Sequence, residues 1–163
     1  MEMLMNQNFE KKLQTLLAKQ EIQEVVMRCC KGIDQGDKDI ISAAYHSDAH
    51  DDHSPYFKGP ASEFIDLTMD HRREMRLMHH NITTVNIDLI TDIEASAVSY
   101  CIFVCESPEG KSTIDMTGCR YFDHFEKREG KWAIAERRLV TDWTISGLDG
   151  SVLQEIPKNL SKP

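Results

Sequence analysis

Apolar positions recur with a helical period up to about Met78 and with an extended pattern from His79 to about Trp143, so helices and strands are segregated along the chain. That order predicts an α+β fold with N-terminal helices packed on one antiparallel sheet. Leu13, Leu16 and Leu17 form one apolar stripe, and Ile22, Val25, Val26, Cys29, Cys30 and Ile33 form a second. At about 100° per residue the stripes are roughly 170° out of phase, which predicts a break near Ala18 to Gln20 and two helices. The second should end at Gly32-Ile33-Asp34-Gln35-Gly36, after which Asp37 N-caps a short helix through Ile40, Ile41 and Tyr45. Lys58-Gly59-Pro60 then opens a helix whose apolar face reads Phe64, Leu67, His71, Met75 and Met78.

Four extended runs follow, over 80–91, 96–106, 113–127 and 131–144. The segments between them carry Thr91-Asp92, Ser107-Pro108-Glu109-Gly110 and Lys127-Arg128-Glu129-Gly130, which predicts a meander of long antiparallel strands. Val98, Tyr100, Ile102 and Val104 alternate with Ala97, Cys101, Phe103 and Cys105, so this strand is apolar on both faces. A sheet covered on one side by helices and on the other by a pocket or partner subunit fits that pattern, and a homodimer or homotrimer is expected. The division along the chain reads as an N-terminal extension over 1–12, a domain over 13–145 and a polar tail over 146–163 anchored only by Val152, Leu153, Ile156 and Leu160.

At 163 residues the chain suffices for one hydrophobic core without disulfide or metal support. No apolar run approaches the ~18 residues of a membrane span. The net charge is −8 and the basic residues are scattered, apart from Arg72, Arg73 and Arg76, so neither a nucleic-acid nor a membrane partner is expected. Five cysteines without a C-x-x-C spacing read as reduced core thiols, and the N-terminus lacks the features of an export signal, so a cytoplasmic location is expected.

Candidate chemistry is concentrated at a few positions. A carboxylate at a helix C-terminus, as expected for Asp34, faces the negative end of the helix dipole and suits a general base; the same residue also reads as an ordinary turn aspartate. His79 and His80 open the first long strand. Strand alternation groups His79 with Thr83, Val85, Ile87 and Leu89, and His80 with Ile82, Thr84, Asn86 and Asp88, so parity points His79 to the pocket unless a bulge intervenes. The block from His46 to His53 is dense in His and Asp, which permits a metal reading, but no second ligand cluster accompanies it and no metal is assigned. His71 reads as a core histidine or a pocket liner, and Arg120, Arg137 and Arg138 could each point inward if an anion such as Asp34 is buried beside them. No phosphate loop, nucleophile elbow or cofactor fingerprint is present, so the inventory supports acid/base chemistry without a cofactor.

Several stretches in order, Ala18-Lys-Gln-Glu-Ile-Gln-Glu, Gly32-Ile-Asp-Gln-Gly-Asp, Tyr45-His-Ser-Asp-Ala-His-Asp-Asp-His, Met78-His-His, Gly118-Cys-Arg-Tyr-Phe-Asp-His-Phe-Glu-Lys-Arg-Glu-Gly-Lys-Trp and Thr141-Asp-Trp, resemble the SnoaL-like branch of the nuclear transport factor 2-like superfamily. The resemblance implies a cone of about three to four helices wrapped on a strongly curved antiparallel sheet. It also implies, from members similar to lindane dehydrochlorinase and scytalone dehydratase, a pocket aspartate matching Asp34 and a histidine matching His80 rather than His79. The expected function is that of a cofactor-independent lyase or isomerase acting on a small hydrophobic, possibly cyclic, molecule. His79, Tyr45, His71, Arg120, Tyr121, Arg138 and Trp143 are expected as further pocket residues. The alternative implied by the same family is a non-catalytic binding or assembly domain, like the small subunits of ring-hydroxylating dioxygenases.

Overall fold

The computed structural model describes residues 2–75, 77–106 and 113–149. Arg76, the Ser107-Pro108-Glu109-Gly110 turn and the anchors expected in the tail lie outside the described residues. Three helices come first or interleave with two short strands: α1 (Glu2–Gln35), α2 (Lys38–Ser42), β1 (Tyr45–His53), β2 (Phe57–Pro60) and α3 (Ala61–Glu74). Four long strands complete the fold: β3 (Met78–Leu89), β4 (Glu94–Glu106), β5 (Thr113–Arg128) and β6 (Lys131–Asp149).

The six strands form one open sheet in the order β2-β1-β6-β5-β4-β3. The meander β3 to β6 is antiparallel as its alternation and turns predict, but the sheet is mixed, because β1 runs parallel to β6. β1 lies in the polar His/Asp block, whose few apolar residues hide its strand character, and β2 follows it as a short antiparallel partner. The pairing places Asp51 beside Arg137 and Asp52 beside Arg138.

The expected break near Ala18 is absent: α1 is one helix of 34 residues, about 51 Å long. Nothing between Leu13 and Ile33 contains Gly or Pro except Gly32, so no residue interrupts the backbone ladder. Only the second stripe is buried, with Ile22, Val25, Val26, Cys29 and Ile33 packed against Ile41, Ile87, Ala95, Ala97, Phe125, Trp132 and Ile134. The first stripe, Leu13, Leu16 and Leu17, is exposed, which is why the two phases coexist on one helix. α1 ends at Gly36, whose φ of 69° is the left-handed conformation expected of a terminating glycine. Asp37 then caps α2, accepting a hydrogen bond from the Ile40 backbone N–H at 3.0 Å.

α3 presents Ala61, Ile65, Thr68 and Met69 to the core. This face is rotated from the expected one: Phe64 is half-buried, Leu67 is exposed and His71 is exposed. Among the described residues, no helix is long and apolar enough to cross a membrane.

Candidate functional site

The end of α1 delivers Asp34 to the start of β3. Its carboxylate accepts the His80 backbone N–H at 2.9 Å through Oδ2 and meets His80 Nδ1 at 2.6 Å through Oδ1. Arg72 of α3 clamps this junction, donating through Nε to the Asp34 carbonyl and through Nη1 to the Met75 carbonyl, both at 2.7 Å. A carboxylate at Nδ1 accepts from the proton-bearing nitrogen, so in the neutral imidazole the proton sits on Nδ1 and Nε2 is the acceptor turned away from Asp34. The His80 ring lies 4.6 Å from that of Phe103, and 7% of its side chain and 18% of that of Asp34 remain accessible, so the pair is sheltered but open.

His79 is exposed and His80 faces inward, the reverse of simple parity. The β3–β4 register shifts between Ile82 and Thr84, and beyond the shift the inward positions are Val85 and Ile87. This bulge moves the inward set from the His80 and Ile82 phase to the Val85 phase.

Across the interior floor, Cys101, Cys119 and Tyr121 form a buried cluster flanked by Ile82, Phe103 and Leu139. The contact between the Cys101 and Cys119 thiols pushes Cys101 up, with burial adding to it, and holds Cys119 down against the opposing effect of burial. Burial likewise pushes the Tyr121 hydroxyl well above the usual phenol range.

β1 carries a second assembly of polar and titratable side chains. Asp51 is fully buried; its Oδ2 accepts the Tyr45 hydroxyl at 2.8 Å, and its Oδ1 contacts His53 Nδ1. The Tyr45 hydroxyl accepts in turn from Arg137 Nη1 at 3.3 Å, and Arg137 is gripped by Asp123. Burial pushes Tyr45 well above the ordinary phenol range, so its hydroxyl stays a donor. Burial alone would pull Arg137 down, but the Asp123 carboxylate more than offsets it and the guanidinium stays charged. The His53 ring stacks on Phe64 at 4.2 Å and lies 6.2 Å from the Tyr121 ring.

The sequence-predicted residues therefore divide. Asp34, His80, Tyr45 and Tyr121 face the interior. Arg120, Arg138 and Trp143 do not: they belong to the opposite strand phase and lie on the outer face. Arg120 pairs with Asp142 through Nε at 2.9 Å and stands over Tyr100 and Phe122, Arg138 is exposed over Phe122, and Trp143 packs on Gly118 with 43% of its surface exposed. The inward arginine is Arg137, and its anion is Asp123 rather than Asp34. His71 and His79, being exposed, line no interior surface.

Asp51, His53, Asp123 and Arg137 went unassigned in the sequence as a site. Their signal is strand parity: Asp51 and His53 are two apart on one face, as are Tyr121 and Asp123. The same parity splits the His46–His53 block, sending His50 and Asp52 outward, where Asp52 is held by Ser54 and Lys58.

Comparison with known proteins agrees with this architecture. A hexachlorocyclohexane dehydrochlorinase, LinA-type3 from Novosphingobium barchaimii, superposes with a TM-score of 0.77 at 14% identity, covering 90% of this chain and 99% of that one. A scytalone dehydratase candidate from Novosphingobium aromaticivorans superposes with a TM-score of 0.74 at 16% identity, over 89% and 99% of the two chains. An NTF2-like protein with a cystatin-like fold from the same organism gives 0.72 at 15% identity, over 83% and 89%. No curated protein matches the sequence. The family model of the SnoaL-like domain matches residues 14–138, from within α1 to Arg138 of β6, and the chain belongs to that family.

Proposed function

We propose that this protein is a cofactor-independent lyase or isomerase that abstracts a proton from carbon in a small, largely hydrophobic molecule. The observation that carries this reading is the Asp34–His80 pair, joined at 2.6 Å through Nδ1 and leaving Nε2 beside an aromatic wall. His80 is the base, and Asp34 fixes its tautomer and stabilises the imidazolium that forms. The aspartate is itself fixed by the His80 backbone N–H and by the Arg72 clamp, so the base is preorganised rather than assembled on binding. Tyr121 and Phe103 supply apolar surface, which favours a ring or similar hydrophobic skeleton. Fold neighbours named as a dehydratase candidate and a dehydrochlorinase support elimination as the form of the reaction.

The test is turnover of small cyclic β-hydroxy and β-halo ketones, followed by appearance of the conjugated enone, with wild-type protein and His80→Ala. Enone formed by the wild type and lost in His80→Ala supports the reading. Saturable binding without turnover would favour the non-catalytic role instead.

A further inference from the structure

α1 is longer than the core it serves. From Asn6 to Leu17 every side chain is exposed except the half-buried Thr15, and packing against the sheet begins only at Ala18. A stretch of helix gains little in water from propensity alone; its stability in proteins comes mostly from burying an amphipathic face. We propose that the outer face of α1 pairs with the same face of a second copy of this chain, so that the protein is a two-fold dimer held by a parallel coiled coil.

Phe9, Leu13 and Leu16 follow one another at the alternating spacing of a heptad seam, and Gln20 and Met27 fall on its continuation. At about 100° per residue this seam lies on the side of α1 opposite to Ala18, Ile22, Val25 and Cys29, so a second helix laid along it leaves the two sheets on the outside. Phe9, Leu13, Leu16 and Leu17 keep 64%, 45%, 67% and 53% of their surface exposed, and Met27 keeps 42%. Together they form about 500 Å² of apolar surface, at the upper end of the largest patch on an ordinary monomer. Two copies joined over it bury roughly 1,000 Å² of non-polar area, which with the flanking polar groups reaches the roughly 1,600 Å² of a standard interface. Gln20, the polar residue in the seam, lowers the stability of the pair and fixes its register.

The charges beside the seam select both the partner and the direction. Lys12 and Lys19 lie along one edge, Glu10 and Glu24 along the other. In a parallel pair the basic edge of each helix meets the acidic edge of the other, so Lys19 faces Glu24 of the second copy on both sides of the axis, and the Lys12 stem covers Leu17. In an antiparallel pair like edges meet, lysine on lysine and glutamate on glutamate, which is repulsive. An anionic lipid surface would favour lysines along both edges, and the glutamate edge opposes it. The outer face of the sheet is the rival surface for a second copy, but its rings already have covers: Arg120 stands over Tyr100 and Phe122, and Arg138 over Phe122.

Sedimentation equilibrium of the full chain at micromolar concentration tests the assignment. The expected mass is twice that of one chain. Leu13→Glu combined with Leu16→Glu, both at exposed positions, should give the monomer mass with the near-ultraviolet circular dichroism of the core unchanged. Ile145→Glu, two positions along β6 from Trp143 on the outer face of the sheet, should leave the dimer intact. Lys19→Glu should raise the dissociation constant about tenfold, and Lys19→Glu combined with Glu24→Lys should restore it. A wild type that sediments as a monomer or a trimer, whatever vesicle or other protein it binds, would overturn the proposal. So would a dimer that survives the α1 double variant, or one that Ile145→Glu dissociates as readily, since the interface would then lie on the sheet. A Lys19→Glu variant equal to wild type, or one that the second charge reversal fails to rescue, would overturn the parallel arrangement.

Discussion

Asp123 grips Arg137 through two parallel hydrogen bonds, Oδ1 to Nε at 2.7 Å and Oδ2 to Nη2 at 2.8 Å, with both side chains sealed from solvent. The guanidinium also stands over the Tyr121 ring at 4.5 Å, so it fixes the floor of the interior as well as Tyr45. Removing one partner leaves a buried charge without its counterion. Asp123→Ala is therefore expected to cost about 3–5 kcal/mol, read from urea unfolding midpoints. The double variant Asp123→Leu with Arg137→Met should recover most of that loss, because the desolvation penalty disappears with the pair. A double variant no more stable than the single one would contradict this account.

Gly118 is needed for the seat of Trp143. A Cβ at Gly118 would come 2.2 Å from the indole, so Gly118→Ala must push the ring off β5 into solvent. The expected cost is about 1–3 kcal/mol, with a red shift and increased quenching of tryptophan fluorescence. Trp132 is buried in the core and serves as the unchanged internal reference, which the Trp143→Phe background verifies.

The thiols should be slow to react. Burial pushes Cys29 and Cys30 upward, which keeps them as thiols at neutral pH, and the thiolate is the nucleophile. Mass spectrometry after iodoacetamide at pH 7.5 should find both unmodified in the native protein and both alkylated in guanidinium. Native alkylation at either would show that the α1 face opens to solvent.

The Asp37 cap is a local test of how α1 hands over to α2. Replacing Asp37 with Ala removes the acceptor for the Ile40 N–H and is expected to cost about 1 kcal/mol, lowering the thermal midpoint by a few degrees.

Much of this architecture is legible in the residues. Strand alternation and turn residues locate β3 to β6, and the glycine and aspartate around Asp34 locate the end of α1 and the cap of α2. What periodicity misses has physical causes. A stripe of leucines reads as a separate helix when it lies on the exposed flank of a longer one, as Leu13, Leu16 and Leu17 do. β1 is hidden because its inward positions include Asp51 and His53, polar groups satisfied by one another and by Tyr45 instead of apolar residues. His80 is misread by parity alone because the bulge after Ile82 cannot be seen in the spacing of side chains. Arg137 and Arg138 are equivalent in the sequence, and only the register of β6 against Asp123 and Phe122 decides which one turns inward.

In the proposed reaction His80 acts as a base because Asp34 holds it. The most direct test is kcat/KM of Asp34→Asn against wild type on a β-substituted cyclohexanone the wild type converts, with the fold confirmed intact. The expected fall is about 10²- to 10⁴-fold, since an amide cannot stabilise the imidazolium and can stabilise the wrong tautomer. Activity equal to wild type would contradict it.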